Sequence, residues 1–397
     1  MSKPQIAILG AGPTGLEAAL AAAERGLPFT LYEAAPRPAG HVRSWGHVHL
    51  FTPWSMSVSP RMRAALESAG VAVPDGEACP TGDQLAEGLL DPLASLAAIA
   101  PNLRLSARVK AVGREGLLKH EEISTPARAA RPFRLLVEDG EGNERIEHAS
   151  VVIDTTGTYS NPNLLGDGGI PAPGELALDG EIRRQLPNFA REGDWAGKTI
   201  LVAGAGHSAQ TAVRDLARLA ERAPGTRVIW AIRGAAPSPA ADHPDPLPER
   251  SELLREAAAL GAGGSPAIEV RSGVAIESLR RDGERVEVSL RSPAGQETIA
   301  VDRILSLTGF VPNDSMYRQL QIHECYAFSA PMKLSAALLG AAGGGGDCLS
   351  QTSHGAETLV NPEPNFYILG IKSYGRNTNF LMRVGWEQVA EVFGRIE

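Results

Sequence analysis

Apolar residues near the amino terminus group into two short runs that flank a glycine-rich turn and an alanine-rich stretch. Residues 5–9 (QIAIL) form an apolar, β-branched run of the kind that buried parallel strands show. The turn GAGPTG follows at 10–15, the alanine-rich helical stretch ends at Gly26, and a second strand, FTLYE, covers 29–33. Strand, turn, helix and strand within about 30 residues predict a βαβ unit with parallel strands.

The chain between residues 34 and 60 shows neither a strand nor a helix period, and it carries two Trp, one Phe and three His. Loops of this length are usually functional or disordered, and the aromatic content argues against disorder. The elements predicted next are helices at 61–69 and 83–99 and strands at 103–112, 133–138 and 145–155. An exposed excursion is predicted at 113–132, and the Gly-, Pro- and Asn-rich stretch 158–193 is predicted to be a linker.

The first pattern returns from Lys198 onward. TILVAG forms a strand, GAGHSA at 204–209 the turn, QTAVRDLARLAER a helix, and RVIWAIR at 227–233 a strand. The elements predicted after a proline-rich loop are a helix near 249–260, strands near 268–281, 285–290 and 297–307, a strand NFYILG, a turn IKSYGRNT, and a helix from about Asn379 to Phe393.

Charge and composition narrow the class of protein. The 38 Lys and Arg against 46 Asp and Glu give a net charge of −8, so we expect no nucleic-acid or anionic-membrane partner. No apolar run approaches the roughly 20 residues of a membrane span, and no signal peptide precedes the first strand. Cys79, Cys325 and Cys348 form neither C-x-x-C nor a zinc-type spacing. We therefore expect a cytoplasmic, reducing location.

The first glycine motif has the spacing of a dinucleotide-binding fingerprint. Its first glycine permits the tight turn, its second lets a pyrophosphate approach the backbone, and its third lets the helix pack on the strand. The helix N-terminus offers free N–H groups to the phosphates, and Glu33 at the end of the second strand is placed to accept hydrogen bonds from ribose hydroxyls. The cofactor-binding residues predicted here are Gly10, Gly12, Pro13, Thr14, Gly15, Glu33 and Ala34.

The second motif, G-x-G-x-x-A at 204–209, differs at the end of its second strand, where Arg233 replaces the acidic residue. A guanidinium would bind a 2′-phosphate in a bidentate manner, which favours NADPH over NADH, although Arg233 is also read as a solvated surface charge. His207 and Ser208 could meet phosphate, or serve only as an N-terminal turn residue and a helix cap. The residues predicted here are Gly204, Gly206, His207, Ser208 and Arg233. Two nucleotide sites predict electron transfer, with FAD in the first unit and NADPH in the second.

Two further segments, DTTGTYSNPN at 154–163 and ILSLTGFVPN at 304–313, resemble the T-G segments of two-dinucleotide-domain flavoproteins. With the two fingerprints and the strand and helix at 366–393, the chain resembles the flavin-containing monooxygenase and pyridine nucleotide-disulfide oxidoreductase superfamily. The resemblance implies that Thr156, Gly157, Thr308 and Gly309 pass close to the nucleotides.

The same resemblance implies an α/β fold with two Rossmann-like three-layer nucleotide-binding domains, the NADPH domain being inserted in the FAD domain. The expected boundaries are residues 1–165 for the first part of the FAD domain, 195–303 for the inserted NAD(P)H domain, and 304–397 for the second part of the FAD domain.

Several family features are missing. Where the monooxygenases show a doubled glycine followed by Trp, this chain has only Gly40 and then Trp45, and it has no clear F-x-G-x-x-x-H match. The redox C-x-x-C of the disulfide reductases is absent, and their G-D is replaced by Gly370-Ile371-Lys372. By the remaining likeness, Gly370 would approach FAD. The helix beginning near Asn379 and Phe380 would point its N-terminus at the flavin pyrimidine edge.

An aromatic segment follows the first fold unit, at the place where the family chain crosses the flavin. Trp45, His47, His49, Phe51 and Trp54 are read as flavin contacts or an active-site wall, with ordinary aromatic packing as the alternative; Trp45 and His47 are the predicted cofactor contacts. His41, His47 and His49 lack a fourth ligand at suitable spacing, so no metal site is predicted.

The remaining candidates lie in the last quarter of the chain. Lys372, Tyr374, Arg376 and Asn377 cluster in the final turn, where one of them would contact flavin or substrate unless the turn is merely exposed and basic. His354 is a further acid/base candidate. A redox pair of Cys325 and Cys348 is weighed against buried, inert thiols, and the thiols are preferred.

The expected function is an FAD-dependent, NADPH-using oxidoreductase. The preferred form is a monooxygenase that uses O2 and oxidises nitrogen or sulfur of a small molecule through a flavin C4a-hydroperoxide. The alternatives are an NADPH:acceptor reductase or dehydrogenase without oxygenation, and a slow nucleotide-binding sensor. The oligomeric state is left open, a homodimer included, and the sequence names no substrate.

Overall fold

A computed structural model describes residues 3–235, 237, 245–342 and 352–396. The chain divides into two compact units. The first unit comprises Met1–Asn161 with Val311–Glu397, and the second comprises Pro162–Phe310. The second unit is therefore inserted in the first along the sequence.

The strands, in chain order, are β1 (Ile6–Leu9), β2 (Phe29–Tyr32), β3 (Leu103–Arg104), β4 (Arg108–Arg114), β5 (Phe133–Glu138), β6 (Glu144–Ala149), β7 (Val151–Asp154), β8 (Ile182–Arg183), β9 (Thr199–Ala203), β10 (Arg227–Ile232), β11 (Ile268–Ser272), β12 (Ala275–Asp282), β13 (Arg285–Ser292), β14 (Gly295–Val301), β15 (Arg303–Ser306), β16 (Glu324–Cys325), β17 (Ala330–Pro331) and β18 (Phe366–Ile368). The α-helices are α1 (Pro13–Glu24), α2 (Gly40–Ser44), α3 (Trp54–Ser57), α4 (Pro60–Ser68), α5 (Gly82–Leu85), α6 (Asp91–Ala94), α7 (Pro126–Ala130), α8 (His207–Arg222), α9 (Pro248–Gly261), α10 (Met332–Ala342), α11 (Ile371–Tyr374) and α12 (Met382–Phe393).

Each unit is built on a five-stranded parallel sheet. The strand order is β18-β7-β1-β2-β3 in the first unit and β11-β10-β9-β15-β8 in the second. Each unit also has a three-stranded antiparallel sheet, β4-β5-β6 in the first and β12-β13-β14 in the second. The order of alternating strands and helices around a parallel sheet is that of a Rossmann-like domain.

The three layers of the first unit follow from the alternation of side chains along β1. Ile6 and Ile8 lie in a core that they share with α1 and α12, whereas Ala7 and Leu9 lie in a second core with Phe133 and other residues of β5. Successive strand residues point to opposite faces, so one apolar run serves both cores. The parallel sheet is thereby covered on both sides, as its continuous apolar strands require.

Several predicted elements are divided in the structure. The predicted strand 103–112 separates into β3, which pairs with β2, and β4, which joins the antiparallel sheet. Likewise 145–155 separates into β6 and β7, on two different sheets. The predicted helix 83–99 is a succession of α5, a π-helical turn over Ala86–Leu90, and α6. Periodicity alone does not reveal that an apolar run changes sheet.

The boundaries of the two units and of the last helix differ from the sequence expectation. The first segment of the first unit ends at Asn161 rather than at residue 165, and the inserted unit ends at Phe310 rather than at residue 303. The inserted unit begins at Pro162 rather than at residue 195, because β8 pairs in parallel with β15 and so brings the expected linker into the second unit. The last helix begins at Met382, so Asn379 and Phe380 precede it and do not open it.

None of the helices within the described residues is long and apolar enough to cross a membrane.

Candidate functional site

The turn after β1 gives its three glycines different surroundings. Gly10 has φ +96°, and a Cβ there would lie 3.0 Å from the carbonyl oxygen of Thr155. A Cβ on Gly15 would lie 1.8 Å from the Gly10 carbonyl oxygen, whereas one on Gly12 would meet no protein atom within 4 Å. The first and third glycines are thus required by the protein itself. The second leaves open space, which suits the backbone of a phosphate-binding turn.

The N-terminus of α1 has free donors beside that space. Gly12 is the N-cap residue, no side chain caps the helix, and Pro13 occupies the first turn. The first N–H groups of a helix need partners, and its dipole favours an anion there. The open space in front of Gly12 therefore fits a pyrophosphate.

Glu33 lies directly after β2 and closes the same turn. Its Oε2 accepts a hydrogen bond from the Ala11 amide at 2.9 Å, and its Oε1 accepts one from the Ala35 amide at 3.0 Å. Burial raises the pKa of Glu33, and these amides oppose the rise. Each carboxylate oxygen has two lone pairs, so the group keeps the capacity to accept further hydrogen bonds. Ala34 is exposed beside it.

The segment after β7 is tied to the segment after β18. Asp154 and Lys372 are 0% and 2% exposed, and their Oδ2 and Nζ atoms are 2.7 Å apart. Lys372 also donates to the Thr156 hydroxyl at 3.0 Å. The predicted contact residue Thr156 therefore uses its hydroxyl internally, and Gly157, with φ +72°, adopts a backbone conformation that favours glycine.

Gly370 lies where the end of β18 meets the first turn. It has φ +73°, and a Cβ on it would lie 2.8 Å from Oγ1 of Thr14. Its amide donates to Oε1 of the buried Gln388 on α12 at 2.9 Å, and Gln388 in turn donates to Ser373 at 3.0 Å. The backbone of the closing segment is thus held against α1 and α12 at a position that only glycine tolerates.

Aromatic rings gather beside these segments. Tyr159 lies near-parallel to His41 and to Trp45, with ring centroids 6.0 Å and 6.3 Å apart. Trp45 Nε1 is a buried donor without a hydrogen-bond partner in the described structure. An orphaned indole donor of this kind fits a polar atom of a bound ligand. His47, the other predicted contact in this segment, is partly exposed.

The remaining candidate residues of the first unit differ in their exposure to solvent. Tyr374 is fully buried, its ring meets Phe380 edge-on at 5.2 Å, and burial raises its pKa to about 12. Asn377 is partly exposed and accepts the Asn379 amide at 3.0 Å. His354 is partly exposed in the segment before β18. Asn377 and His354 are therefore partly accessible to solvent, whereas Tyr374 is a core residue.

The turn of the second unit repeats the pattern of the first. Gly204 has φ +128°, and a Cβ on it would lie 2.3 Å from the Leu307 carbonyl oxygen, whereas one on Gly206 would meet nothing within 4 Å. Trp230 Nε1 donates to the Gly204 carbonyl at 2.8 Å, and the Gln210 side-chain amide donates to the Ala205 carbonyl at 3.2 Å. Two buried side chains thus hold the carbonyls of this turn.

The polar candidates of the second unit lie around the N-terminus of α8. Gly206 is the N-cap residue and no side chain caps the helix, so the capping role considered for Ser208 is wrong. His207 and Ser208 are exposed, although partial burial of the imidazole and the charge of Arg250 lower the pKa of His207. Arg233 is exposed directly after β10.

The T-G segment of the second unit is held from within. The Thr308 hydroxyl donates to the Asn163 carbonyl at 3.0 Å. Gly309 has φ +88° and is exposed.

The described thiols form no disulfide. Cys325 is buried and Cys79 is partly buried, and each keeps its sulfur in the thiol form. Cys348 lies outside the described residues, so a pair with Cys325 is untested. No group of three or more His, Cys, Asp or Glu in the described parts of the chain is arranged to hold a metal ion.

Sequence reasoning missed Asp154, Gln388 and Trp230. Asp154 carried a signal, because an acidic residue that ends an apolar strand before a T-G segment needs a partner. Nothing in the local pattern marks Gln388 or Trp230, whose importance comes from what they touch.

The family model described as "Pyridine nucleotide-disulphide oxidoreductase" matches residues 4–325. No curated protein matches the sequence significantly. Among solved structures, the chain is similar to the bacillithiol disulfide reductase of Bacillus cereus, with TM-score 0.73, 18% identity, and 100% and 99% of the two chains covered.

It is also similar to the structures of a monooxygenase and a hydroxylase. One is a cadaverine monooxygenase of desferrioxamine biosynthesis from Erwinia amylovora, with TM-score 0.66, 13% identity, and 100% of this chain and 95% of that chain covered. The other is the ornithine hydroxylase of Pseudomonas aeruginosa, with TM-score 0.63, 16% identity, and 100% and 99% covered. These likenesses confirm the predicted fold of two Rossmann-like domains.

Proposed function

The chain belongs to the pyridine nucleotide-disulphide oxidoreductase family, and we propose that it is an FAD-dependent, NADPH-using monooxygenase. It would oxidise a nitrogen or sulfur atom of a small molecule, with O2 as the second substrate. The first unit holds FAD and the second holds NADPH.

The residues of the first unit fit FAD. The space before Gly12 and the uncapped start of α1 receive the pyrophosphate, and Glu33 receives the adenosine ribose. The backbone at Gly157 and Gly370 adopts left-handed conformations that allow close approach of the flavin side of the molecule. Bound FAD would supply the redox chemistry, namely hydride uptake from NADPH and the activation of oxygen.

The residues of the second unit fit NADPH. The space before Gly206 and the uncapped start of α8 receive its pyrophosphate, with His207 and Ser208 exposed alongside. Arg233 follows β10 at the place where an acidic residue would repel a 2′-phosphate, and its guanidinium supplies the charge that selects NADPH.

One observation favours an external electron acceptor over the internal dithiol of a disulfide reductase. The sequence has three cysteines and no C-x-x-C, and the two described ones, Cys79 and Cys325, form no disulfide. The chain therefore offers no C-x-x-C dithiol as an internal electron acceptor, which favours an acceptor that diffuses in. Oxygen is the acceptor that we propose, and a cadaverine monooxygenase and an ornithine hydroxylase of the same fold support this choice.

This chain's own residues then bind, orient and exclude water. Asn377 and His354 are the partly exposed candidates for substrate contact, and Trp45 offers an unpartnered indole donor. Lys372 and Tyr374 act from inside the fold, since both are buried. A reductase with a small external acceptor is the second candidate, favoured by the TM-score of 0.73 to the bacillithiol disulfide reductase.

The test is a coupled oxidation under isotopically heavy oxygen gas. The purified protein is reduced with NADPH without air and then mixed with oxygen and a panel of amines and thioethers. A product that carries one heavy oxygen atom, in step with NADPH consumption, supports the monooxygenase.

Full recovery of the electrons as hydrogen peroxide, with every panel member unchanged, contradicts the monooxygenase. Faster NADPH oxidation with a quinone or a low-molecular-weight disulfide than with oxygen would establish the reductase.

A further inference from the structure

A fully buried ion pair joins two distant parts of the first unit. Lys372 and Asp154 are separated by 218 residues along the chain, and neither is more than 2% exposed. A buried pair of this kind costs desolvation, and replacing it by apolar residues is often neutral or stabilising. Stability alone is therefore a weak explanation for its presence.

The pair lies between the two segments that the proposed function gives to the flavin. Asp154 uses its Oδ2 for Lys372, while its Oδ1 accepts hydrogen bonds from the Thr156 amide at 3.0 Å and hydroxyl at 2.7 Å. The backbone of Gly157 follows directly, and a Cβ there would contact only Ile371, at 3.9 Å. The network thus sets the distance between residues 156–157 and 370–372.

The ammonium of Lys372 is occupied on several sides. Besides Asp154 and Thr156, it lies 5.0 Å from the ring centroid of Tyr317, within cation–π range. The Tyr317 hydroxyl donates to Glu324 at 2.8 Å, so the ring is itself anchored. An ammonium engaged in this way is suited to holding the backbone in place and not to reaching a substrate.

We propose that the Asp154–Lys372 pair is a positioning device that preorganises the two flavin-facing segments, so that FAD binds without ordering them. Lys372 is therefore a positioning residue and not a catalytic one. The inference rests on the proposed function, because it takes the first unit as the FAD site. A ligand that binds to segments already held in place loses less free energy to their ordering. The ion pair should therefore be detectable as tighter binding of FAD.

The experiment compares FAD affinity with protein stability in matched variants. FAD is removed from the full-length protein, and the apoprotein is titrated with FAD while quenching of flavin fluorescence is followed. The melting temperature of the apoprotein is measured in parallel. The test variants are Lys372→Met and the double variant Asp154→Asn/Lys372→Met, which leaves no uncompensated charge. The control is Glu363→Gln, because Glu363 and its partner Arg114 are equally buried in the same unit, with both side chains 0% exposed.

Lys372→Met and Glu363→Gln should both lower the melting temperature, but only Lys372→Met should weaken FAD binding, by about tenfold or more. The double variant should recover part of the melting temperature and keep the weak FAD binding. Affinity that recovers together with stability in the double variant, or that falls equally in Glu363→Gln, overturns the proposal. If wild-type apoprotein does not bind FAD at all, the proposed function has failed instead.

Discussion

Gly12 and Gly15 lie less than one helical turn apart, yet substitution by alanine should affect the stability of the apoprotein very differently at the two positions. Gly12 has φ −84° and no protein atom within 4 Å of the position that an alanine methyl would take, so Gly12→Ala should change apoprotein stability by no more than about 1 kcal/mol. At Gly15 the same methyl would lie 1.8 Å from a backbone oxygen. The turn must then move, at a cost of about 3 kcal/mol or more.

Gly12→Ala should nevertheless weaken FAD binding strongly. The methyl fills the space where a pyrophosphate would meet the start of α1, and one or two charge-assisted hydrogen bonds are lost. At about 1.5–3 kcal/mol each, these bonds amount to about 1.5–6 kcal/mol in total, so the Kd for FAD should rise at least about tenfold.

The assay is the fluorescence titration of apoprotein with FAD, together with a thermal melt. Gly12→Ala should melt near the wild-type temperature and bind FAD weakly. Gly15→Ala should melt several degrees lower, since about 1 kcal/mol shifts the midpoint by about 2–4 °C in a domain of this size. Wild-type FAD affinity in a folded Gly12→Ala protein would refute the placement of FAD at this turn.

The second unit supplies a matched control. Gly206 is as open as Gly12, so Gly206→Ala should weaken NADPH binding and leave FAD binding unchanged. A loss of FAD affinity in Gly206→Ala would show that the two sites are not assigned to separate units as proposed.

Three further substitutions test the second unit and the interior of the first. Arg233→Ala should raise the Michaelis constant for NADPH about tenfold and barely change that for NADH, because only NADPH carries the 2′-phosphate. Trp230→Phe should weaken NADPH binding about 2- to 10-fold, because the hydrogen bond that holds the turn carbonyl is lost. Glu363→Gln should destabilise the protein by about 3–5 kcal/mol in denaturant titration, because it leaves Arg114 and Arg128 buried without their counter-ion. Burial raises the pKa of Glu363, but hydrogen bonds from both arginines outweigh it and hold the pKa below its usual range. The stabilisation from this carboxylate is therefore complete above the ordinary glutamate pKa of about 4.3 and is lost as pH falls through the lower, folded value.

Controls of the same chemistry accompany these variants. Arg227→Ala removes an exposed arginine from the opposite end of the same strand and should leave both Michaelis constants unchanged. Trp195→Phe alters another buried tryptophan of the second unit and should not affect NADPH binding. Equal responses in test and control would reject the assigned roles of Arg233 and Trp230. Acid sensitivity in Glu363→Gln that equals the wild-type profile would reject the role of the carboxylate.

Local patterns in the sequence predict most of the framework. Both glycine turns, with the strand before and the helix after them, are specified by neighbouring residues, because a tight turn needs glycine and a buried parallel strand needs an apolar run. Glu33 could be placed for the same reason, since it ends the second strand of its unit at a fixed distance from the turn. The family resemblance added the two T-G segments and the insertion of one domain in the other.

Contacts between distant parts of the chain decided the rest. Whether Lys372 faces a substrate or an internal partner depends on Asp154, which no local pattern connects to it. The last helix begins at Met382 and not near Asn379 as expected from the sequence. Residues 162–194 belong to the second unit because β8 pairs with β15. Periodicity shows how polar and apolar side chains alternate along a segment. It carries no information about which sheet the segment joins or which charged group or carbonyl it contacts. The sequence by itself therefore determined the two glycine turns between strand and helix, and only the tertiary structure decided which distant side chains hold them in place.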